Sequence, residues 1–337
     1  MSKLPSELCD EIIDYLHTDA ATLAVCALVC RAWVPASRFH LFESIKMSEN
    51  SGQRAVQLNN LLGSPYTTIL PAVQNLTFLN ALAPIQIRHP RSGRVHLKVL
   101  VALVPRITQF PCIRRLALSD LPWYLLHGLN TVEELSLTAV NAGPALLHLG
   151  SHLPRLTDLT LERVHAIPFC AEYPRTEFSP MRLHHLTIRA SSIAFLGWMA
   201  LVTACTQNVA IGDIAPEEMH HLVTYLYAIG PALESLDLSF LGNVLDCLIL
   251  HELLTPCTIL TRFRLRFPCT RDAHQFFKSG GALALAQLNP ALSIDICIRS
   301  TVDMDLNSAE EAIVECVKQM FSGGTPDVRV VRGEYEI

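Results

Sequence analysis

The sequence predicts an α/β protein in which a short helical unit at the N-terminus precedes a long body of parallel strands and helices. Three observations support this fold class. The first fifty residues carry apolar positions at helical spacing, and a leucine pattern recurs from residue 73 to residue 265. Half of the 337 residues are hydrophobic and only 17% are charged. This composition is typical of a chain with a large packed core and excludes a disordered one.

Two or three short helices are predicted in the first fifty residues. Ser6 or a neighbour is expected to cap a helix that begins near Glu7. This helix carries one apolar stripe at every fourth position, formed by Leu8, Ile12 and Leu16. Asp19 is a candidate for the second N-cap, and Pro35 is expected to end or bend the helix that follows. So small a unit buries its own apolar faces poorly, and we therefore expect it to need a partner.

The same segment contains two short motifs in a fixed order. Leu-Pro-Ser-Glu-Leu stands at 4–8 and Val-Cys-Arg-Ala-Trp at 29–33, with Ile12, Leu16 and Leu23 between them. This set resembles an F-box over residues 4–42. The wider arrangement, which includes segments 37–42 and 64–78, is similar to a large fungal group of F-box proteins.

The resemblance implies a substrate-recognition subunit of an SCF-type cullin-RING ubiquitin ligase. F-box proteins dock on the Skp adaptor subunit through a three-helix box, and the rest of the chain captures a protein substrate. Carried over onto this sequence, the docking set is Leu4, Pro5, Leu8, Ile12, Leu28, Val29, Cys30 and Trp33. A few buried apolar and aromatic anchors carry most of such an interface. The alternative is that Leu16, Leu23 and Trp33 are only the core of a small helical domain.

A leucine pattern repeats through the body of the chain. Its unit is apolar-x-x-L-x-L, and its central anchors stand at 76, 116, 135, 159, 186, 209, 236 and 263. Alternate side chains of a strand face opposite ways, and both leucines of each L-x-L therefore point into one core. The intervening segments, such as 142–149, 192–204 and 216–229, are expected to return as helices or irregular turns. Closing strands are predicted at 292–296 and 328–331.

After residue 116 the anchors lie 19 to 27 residues apart, in or beside the range of leucine-rich repeats. We therefore expect an irregular leucine-rich-repeat-like solenoid with a parallel sheet, in which stacked units bury a continuous apolar face. Regular repeats place Asn or Cys five residues after the first core leucine, where the side chain ties adjacent turns together. Those positions here hold Ala81, Leu121, Val140, Val164, Ser191, Ile214, Leu241 and Pro268. The predicted domains are an F-box at 1–44, a linker helix or loop at 45–72 and a repeat domain at 73–337.

Outward-facing strand positions form the predicted substrate surface. Its tentative binding residues are Arg262, Arg264, Arg266, Asp158, Glu162 and Asp237. Three arginines alternate with Phe263, Leu265 and Phe267, so their guanidinium groups share one face, where they are suited to carboxylates or phosphates. On this hypothesis, reversing the charge of Arg264 and Arg266 together abolishes capture of an acidic or phosphorylated partner. The alternative is a solvated strand whose charges prevent edge aggregation.

A second basic stretch lies in the interval before residue 116. No acidic residue occurs from 50 to 119, which gives this segment a net charge of +8 within a chain of net charge −5. Its centre, residues 88–94, contains proline, glycine and serine, and this composition predicts a solvated loop. An acidic protein partner is one alternative and nucleic acid another. No aromatic residue lies between Phe78 and Phe110 for base stacking, and we therefore expect no nucleic-acid partner.

The sequence predicts neither an enzyme nor a cofactor site. It contains no nucleophile-elbow, phosphate-loop, dinucleotide or zinc-protease motif. The pairs His184–His185 and His220–His221 are adjacent, so their side chains are expected to diverge and to bind no metal. A cysteine hydrolase is the third and weakest hypothesis, after the ligase adaptor and a repeat-type scaffold with a degenerate F-box.

The sequence also predicts where the protein is located and whether it spans a membrane. Eleven cysteines occur without a Cys-x-x-Cys pair, and acidic residues stand where a signal peptide needs an apolar run. We therefore expect a cytoplasmic or nuclear protein, or one present in both compartments, with reduced thiols. Residues 193–205 are uncharged but fall short of the roughly twenty needed to span a bilayer. They are expected to form a buried helix, and no membrane partner is predicted.

Overall fold

The computed structural model describes residues 5–48, 52–65, 67–79, 106–119, 128–142, 149–166, 181–191, 193–203, 205–241, 247–278, 292–299 and 328–333. The chain divides into two compact units. Unit 1 comprises Met1–Asn141 and Ser151–Leu156, and unit 2 comprises Ala142–Gly150 and Thr157–Ile337. Each unit contains helices and parallel strands, which confirms the predicted α/β class. The predicted domain boundaries at 44 and 72 stay predictions.

Unit 1 begins with short helices. Their bounds are α1 (Ser6–Tyr15), α2 (Ala20–Val29), α3 (Val34–Phe42) and α4 (Gly52–Leu62). Asp19 caps α2 as predicted, because its carboxylate accepts a hydrogen bond from the backbone N–H of Thr22 at 3.0 Å. Two expectations are wrong. The hydroxyl of Ser6 donates to the Glu7 carboxylate at 3.2 Å instead of capping α1, and Pro35 lies in the first turn of α3, where no helical hydrogen bond needs its N–H.

The first three helices share a small core. Ile13 of α1, Leu23 and Cys26 of α2 and Ser37 of α3 are buried. A hydrogen bond between His40 and Asp14, with 2.7 Å from Nε2 to Oδ1, joins α3 to α1. The helix α1 therefore turns Ile13 inward, and the predicted stripe of Leu8, Ile12 and Leu16 lies outside this core.

The strands of unit 1 form a parallel sheet. They are β1 (Ser44–Ser48), β2 (Asn75–Leu79), β3 (Arg115–Ser119) and β4 (Glu134–Thr138). A short 3-10 helix, Leu70–Ala72, precedes β2. The anchors Leu76, Leu116 and Leu135 stand opposite one another in register, and all three are buried. Strand β1, in the predicted linker, pairs with β2 along its whole length.

Unit 2 carries the longer series of parallel strands. They are β6 (Asp158–Glu162), β8 (His185–Arg189), β9 (Asn208–Ile214), β10 (Ser235–Phe240), β11 (Arg262–Phe267), β12 (Ser293–Arg299) and β13 (Val328–Gly333). Each strand pairs with the next in that order. The helices are α6 (Leu196–Val202), α7 (Met219–Ile229), α8 (Cys247–Leu254) and α9 (Thr270–Lys278). The chain passes between the units at β5 (Asn141–Ala142) and α5 (Leu149–His152), and the two-residue strand β7 is His165–Ala166.

The repeat anchors of unit 2 form one buried row. Register joins Leu159, Leu186, Val209, Leu236, Phe263 and Ile294 from strand to strand. All six are buried, and so are the second apolar residues of the same strands. The residues between them face the opposite side of the sheet, here called the outer face. Each L-x-L of the sequence therefore supplies two core side chains and leaves the alternate positions for other roles.

Three strands of unit 2 end in the same unusual backbone conformation. Arg163, Ala190 and Asp213 have positive φ angles of 52°, 46° and 61°. Each stands four residues after the anchor of its strand, and Ala139 of unit 1, with φ 53°, has the same position in its repeat. Non-glycine residues adopt this left-handed conformation at a cost of roughly 1–2 kcal/mol. Its recurrence at one repeat position shows that the turns are structurally equivalent.

The helices of unit 2 cover the inward face of its sheet. Phe276 and Phe277 of α9 lie against Phe267 of β11, with ring centroids 5.4 and 6.3 Å apart. Gly230 follows α7 at a point of close approach, where an added Cβ would lie 2.7 Å from the carbonyl oxygen of Pro256. Within the described ranges, no helix combines the length and apolar character needed to cross a bilayer.

Candidate docking surfaces

The helices α1 and α2 present apolar side chains to solvent. Leu8, Ile12 and Tyr15 share one face of α1 at helical spacing, and Tyr15 is 88% exposed. The exposed apolar residues of α2 are Val25, Leu28 and Val29, and Leu28 is 86% exposed. Because these side chains have the same character as those of a core, their exposure on adjacent short helices indicates a surface for another protein. We call this set the α1–α2 apolar surface.

Most of the predicted docking residues belong to this surface or lie beside it. Pro5 and Cys30 are exposed and Trp33 is half-buried. Leu4 lies outside the described residues. Leu23, for which a core role was the alternative, is 1% exposed and belongs to the core. The docking role of the eight predicted residues stays a prediction, but the structure locates seven of them.

Sequence reasoning missed Tyr15 and Val25. Tyr15 follows Leu8 by seven positions and Val25 precedes Leu28 by three, so the spacing that defines a helix face contained both. Neither residue belongs to the motif, so the resemblance gave no signal for them.

A network of ion pairs lies on the outer face of unit 2. The guanidinium of Arg264 bridges two flanking strands, with Nη2 at 3.0 Å from Oδ2 of Asp295 and Nη1 at 3.7 Å from Oδ2 of Asp237. Nη2 of Arg266 donates to the same oxygen of Asp237. One carboxylate of β10 therefore binds two arginines of β11, and one of those arginines also holds a carboxylate of β12. We call these four residues the Arg–Asp network.

Burial and ion pairing act in opposite directions in the network: although burial lowers the pKa of Arg264, pairing with Asp295 and Asp237 raises it overall, whereas burial prevails at Asp237. The side chains of Asp237 and Asp295 are 15% and 16% exposed, whereas that of Arg264 is 40% exposed. Burial raises the pKa of Asp237 above its ordinary value, although Arg266, Arg264 and Arg189 act in the opposite direction. The arginines thus reduce a desolvation penalty that they do not fully remove. Nε of Arg264 is buried and donates to no group in the described part of the chain.

The six predicted substrate residues do not form one cluster. Arg264, Arg266 and Asp237 meet in the network, and Arg262 is exposed at the start of the same strand. Asp158 and Glu162 lie on β6, three strands away from β10, or about 14 Å at ordinary strand spacing. Asp158 instead lies 3.8 Å from Nε2 of His185, and Glu162 lies 3.4 Å from Nη2 of Arg163.

The alternative hypothesis, that the arginine charges protect an exposed sheet edge, does not fit the position of β11. Strand β11 pairs with β10 on one side and with β12 on the other, so it has no open edge for charges to protect. Two of its three arginines are engaged with carboxylates. Asp295, which completes the network, was missed, although it stands between Ile294 and Ile296 and thus at an outward position.

The described residues contain no group of three His, Cys, Asp or Glu side chains that is suited to a metal ion. The rings of His220 and His221 lie with centroids 3.7 Å apart, so the expectation that these side chains diverge is wrong. The thiol of Cys257 is buried and donates to the carbonyl of Leu253 at 3.6 Å, and burial raises the pKa of Cys257 to about 12. A thiol held in this protonated state is unsuited to nucleophilic catalysis.

Residues 1–38 match the family model of the F-box-like domain. The match covers α1, α2 and the first part of α3, and it confirms the predicted resemblance for this segment. Proteins with an F-box are generally adaptors rather than enzymes. No curated protein matches the chain. The similarity of the body to leucine-rich repeats and of the chain to a fungal group stays a prediction.

Proposed function

We propose that the chain is a substrate-recognition subunit of an SCF-type cullin-RING ubiquitin ligase. In this proposal the α1–α2 apolar surface docks on the Skp adaptor subunit, and the repeat-bearing body holds a protein substrate. Catalysis belongs to the partner subunits, and this chain contributes the positioning of the substrate. The supporting observation is an uncovered apolar surface on the helices that match the F-box-like domain.

The energetics of the surface support a docking role. Burying a Leu or Val side chain stabilises an interface by roughly 1.5–3 kcal/mol. Leu28 and Val29 gain most of this only in a complex, because they are 86% and 60% exposed on the free helices. Leu8 and Ile12 are less than half exposed and add a smaller share. Leu4, Pro5, Cys30 and Trp33 complete the proposed contact set.

The outer face of the body is the proposed substrate surface, with Arg262, Arg264, Arg266, Asp237, Asp158 and Glu162 as its binding residues. Outward positions on parallel strands tolerate varied side chains, because the core uses only the alternate positions. We propose the cytoplasm, the nucleus or both as the site of action, in keeping with the reduced thiols expected from the sequence.

Co-purification with the Skp adaptor tests the proposal. The full chain, co-expressed with the adaptor, is compared with a Leu28→Asp, Val29→Asp variant. We expect the wild type to retain the adaptor through size-exclusion chromatography and the variant to lose it, since two buried carboxylates oppose docking. A second variant, Leu4→Ala with Pro5→Ala, tests the motif residues at the start of the chain.

Ile259→Asp is the matched control. Ile259 is an apolar residue of unit 2 with 48% exposure, so its replacement introduces the same charge away from the helices. This variant is expected to retain the adaptor. Equal adaptor recovery from the wild type and the Leu28, Val29 variant would contradict the proposal. Absence of the adaptor from a folded wild-type protein would favour the alternative, a protein-interaction scaffold with a degenerate F-box.

A further inference from the structure

The outer face of β10 to β13 carries charges of alternating sign in one row. Register places Asp237 opposite Arg264, Arg264 opposite Asp295, and Asp295 opposite Arg329. Since adjacent strands lie about 4.8 Å apart, each charge has an opposite charge as its neighbour. The row is therefore organised before any partner binds, and the guanidinium groups are held in position by carboxylates of the same chain.

The two signs differ in their access to solvent. The carboxylates of Asp237 and Asp295 are largely covered, whereas Arg189, Arg262 and Arg329 are exposed. A molecule that approaches this face therefore meets guanidinium groups first. The carboxylates orient the neighbouring Arg264 and Arg266, which lowers the loss of side-chain entropy when these two arginines bind a partner.

The charges around Asp237 do not balance. Three arginines, Arg189, Arg264 and Arg266, act on Asp237, and Asp295 is the second carboxylate of the group. Arg189 also stands opposite Glu162 of β6 in register, so three positive charges face three negative ones. Arg262, exposed at the start of β11, is a fourth positive charge and leaves a surplus of one. The surplus contrasts with the chain as a whole, whose net charge is −5.

Small residues separate Arg189 from the network. Strand β9 runs between β8 and β10, and its outward positions there are Ala210 and Gly212. A Cβ built on Gly212 would meet nothing closer than 3.8 Å. Strand β9 therefore places no long side chain between Arg189 on one side and Arg264 and Arg266 on the other.

From this arrangement we infer that the outer face of β8 to β12 binds an acidic, Asp- or Glu-rich segment of a protein partner. The inference rests on the proposed function in that it names the class of substrate the body captures. A carboxylate has the charge that offsets the surplus around Asp237, and it repeats the pairing that Arg264 and Arg266 already make. Electrostatic complementarity of this kind gives an interface its specificity and association rate.

Fluorescence anisotropy with the full chain tests the inference. The probe is a fluorescein-labelled oligoglutamate peptide, with an oligoglutamine peptide of the same length for comparison. The variant is Arg189→Gln with Arg262→Gln, because both side chains are exposed and neither is joined to Asp237 by a hydrogen bond. We expect the wild type to bind oligoglutamate in preference to oligoglutamine, and the variant to bind it at least about tenfold more weakly, since both neutralised residues belong to the inferred surface.

Arg271→Gln is the matched control, since Arg271 is exposed on α9, the helix on the other side of the sheet. It removes one positive charge from the same unit and is expected to leave affinity unchanged. Equal binding of the two peptides, or undiminished binding by the double variant, would overturn the inference. A peptide with phosphoserine in place of glutamate forms a further arm, and binding of that peptide alone would also overturn it. Adaptor co-purification on the same preparations shows separately whether the docking proposal stands.

Discussion

The hydroxyl of Ser191 accepts a hydrogen bond from the backbone N–H of Val164 at 2.9 Å. It also donates to the carbonyl of Arg189 at 2.8 Å. Because Val164 follows β6 and Ser191 follows β8, the contact joins the turns of two consecutive strands. A serine therefore makes the tie between adjacent turns that Asn or Cys makes in regular repeats.

Replacing Ser191 by alanine should destabilise the protein. The change leaves the buried N–H of Val164 without its acceptor, at a cost of about 1–3 kcal/mol. Urea unfolding measures the effect, with Ser235→Ala, at a half-buried outward position of β10, as the control. Equal midpoints for the two variants would show that the tie is not needed.

Two leucines of α2 should differ strongly in how much their truncation destabilises the protein. Leu23→Ala is expected to lower the free energy of unfolding by about 3 kcal/mol, because Leu23 is buried in the core of the first three helices. Leu28→Ala should change it by less than about 0.5 kcal/mol, since that side chain is 86% exposed. Thermal unfolding of both variants is the measurement. A large loss of unfolding free energy for Leu28→Ala would mean that Leu28 stabilises the fold, which would contradict this prediction.

Gly230→Ala should be poorly tolerated. Its Cβ would lie 2.7 Å from a backbone oxygen of Pro256, which cannot move aside as a flexible side chain does. We expect a loss of about 1–3 kcal/mol. Gly197→Ala in α6 is the contrasting variant, because its Cβ meets Nδ1 of His221 at an ordinary 3.5 Å. Alanine there should leave stability unchanged or raise it by up to about 1 kcal/mol. Chemical denaturation of both variants is the test. A loss of stability for Gly197→Ala but not for Gly230→Ala would contradict the prediction.

The stability contribution of Asp237 should fall as pH rises. Burial raises the pKa of Asp237 above the ordinary 3.8, so the folded state holds this proton more tightly than the unfolded state. The stabilisation is therefore present below pH 3.8 and is lost as pH rises through the folded pKa. The measurement is the difference in unfolding free energy between wild type and Asp237→Asn from about pH 4 to about pH 7. A difference that grows with pH would show that pairing with the arginines outweighs burial.

The repeating strands were predictable because one simple rule determines them. The first leucine of each L-x-L, such as Leu159 or Leu236, fixes both strand and face, and register then aligns it with its neighbours. The F-box-like segment was identified from a motif. On one of its helices Leu23 is buried and Leu28 is exposed, so the apolar residues of this segment are not all core residues.

Other features depended on long-range contacts that the sequence does not reveal. Asp295 joins Arg264 from 31 positions away, and only the pairing of β11 with β12 brings the two together. The role of Pro35 was misjudged because proline suits the first turn of a helix as well as its end. A local contact was also not predictable: the packing of His220 against His221 depends on their side-chain rotamers, which spacing does not determine.

The left-handed turns of unit 2 keep their conformation while the residue changes from Arg163 to Ala190 to Asp213. This position therefore accepts different side chains in one backbone geometry. Natural selection can then alter loop length and outward side chains one repeat at a time without disturbing the leucine rows. Repeats of this kind would in this way acquire different outer faces while their buried rows stay the same.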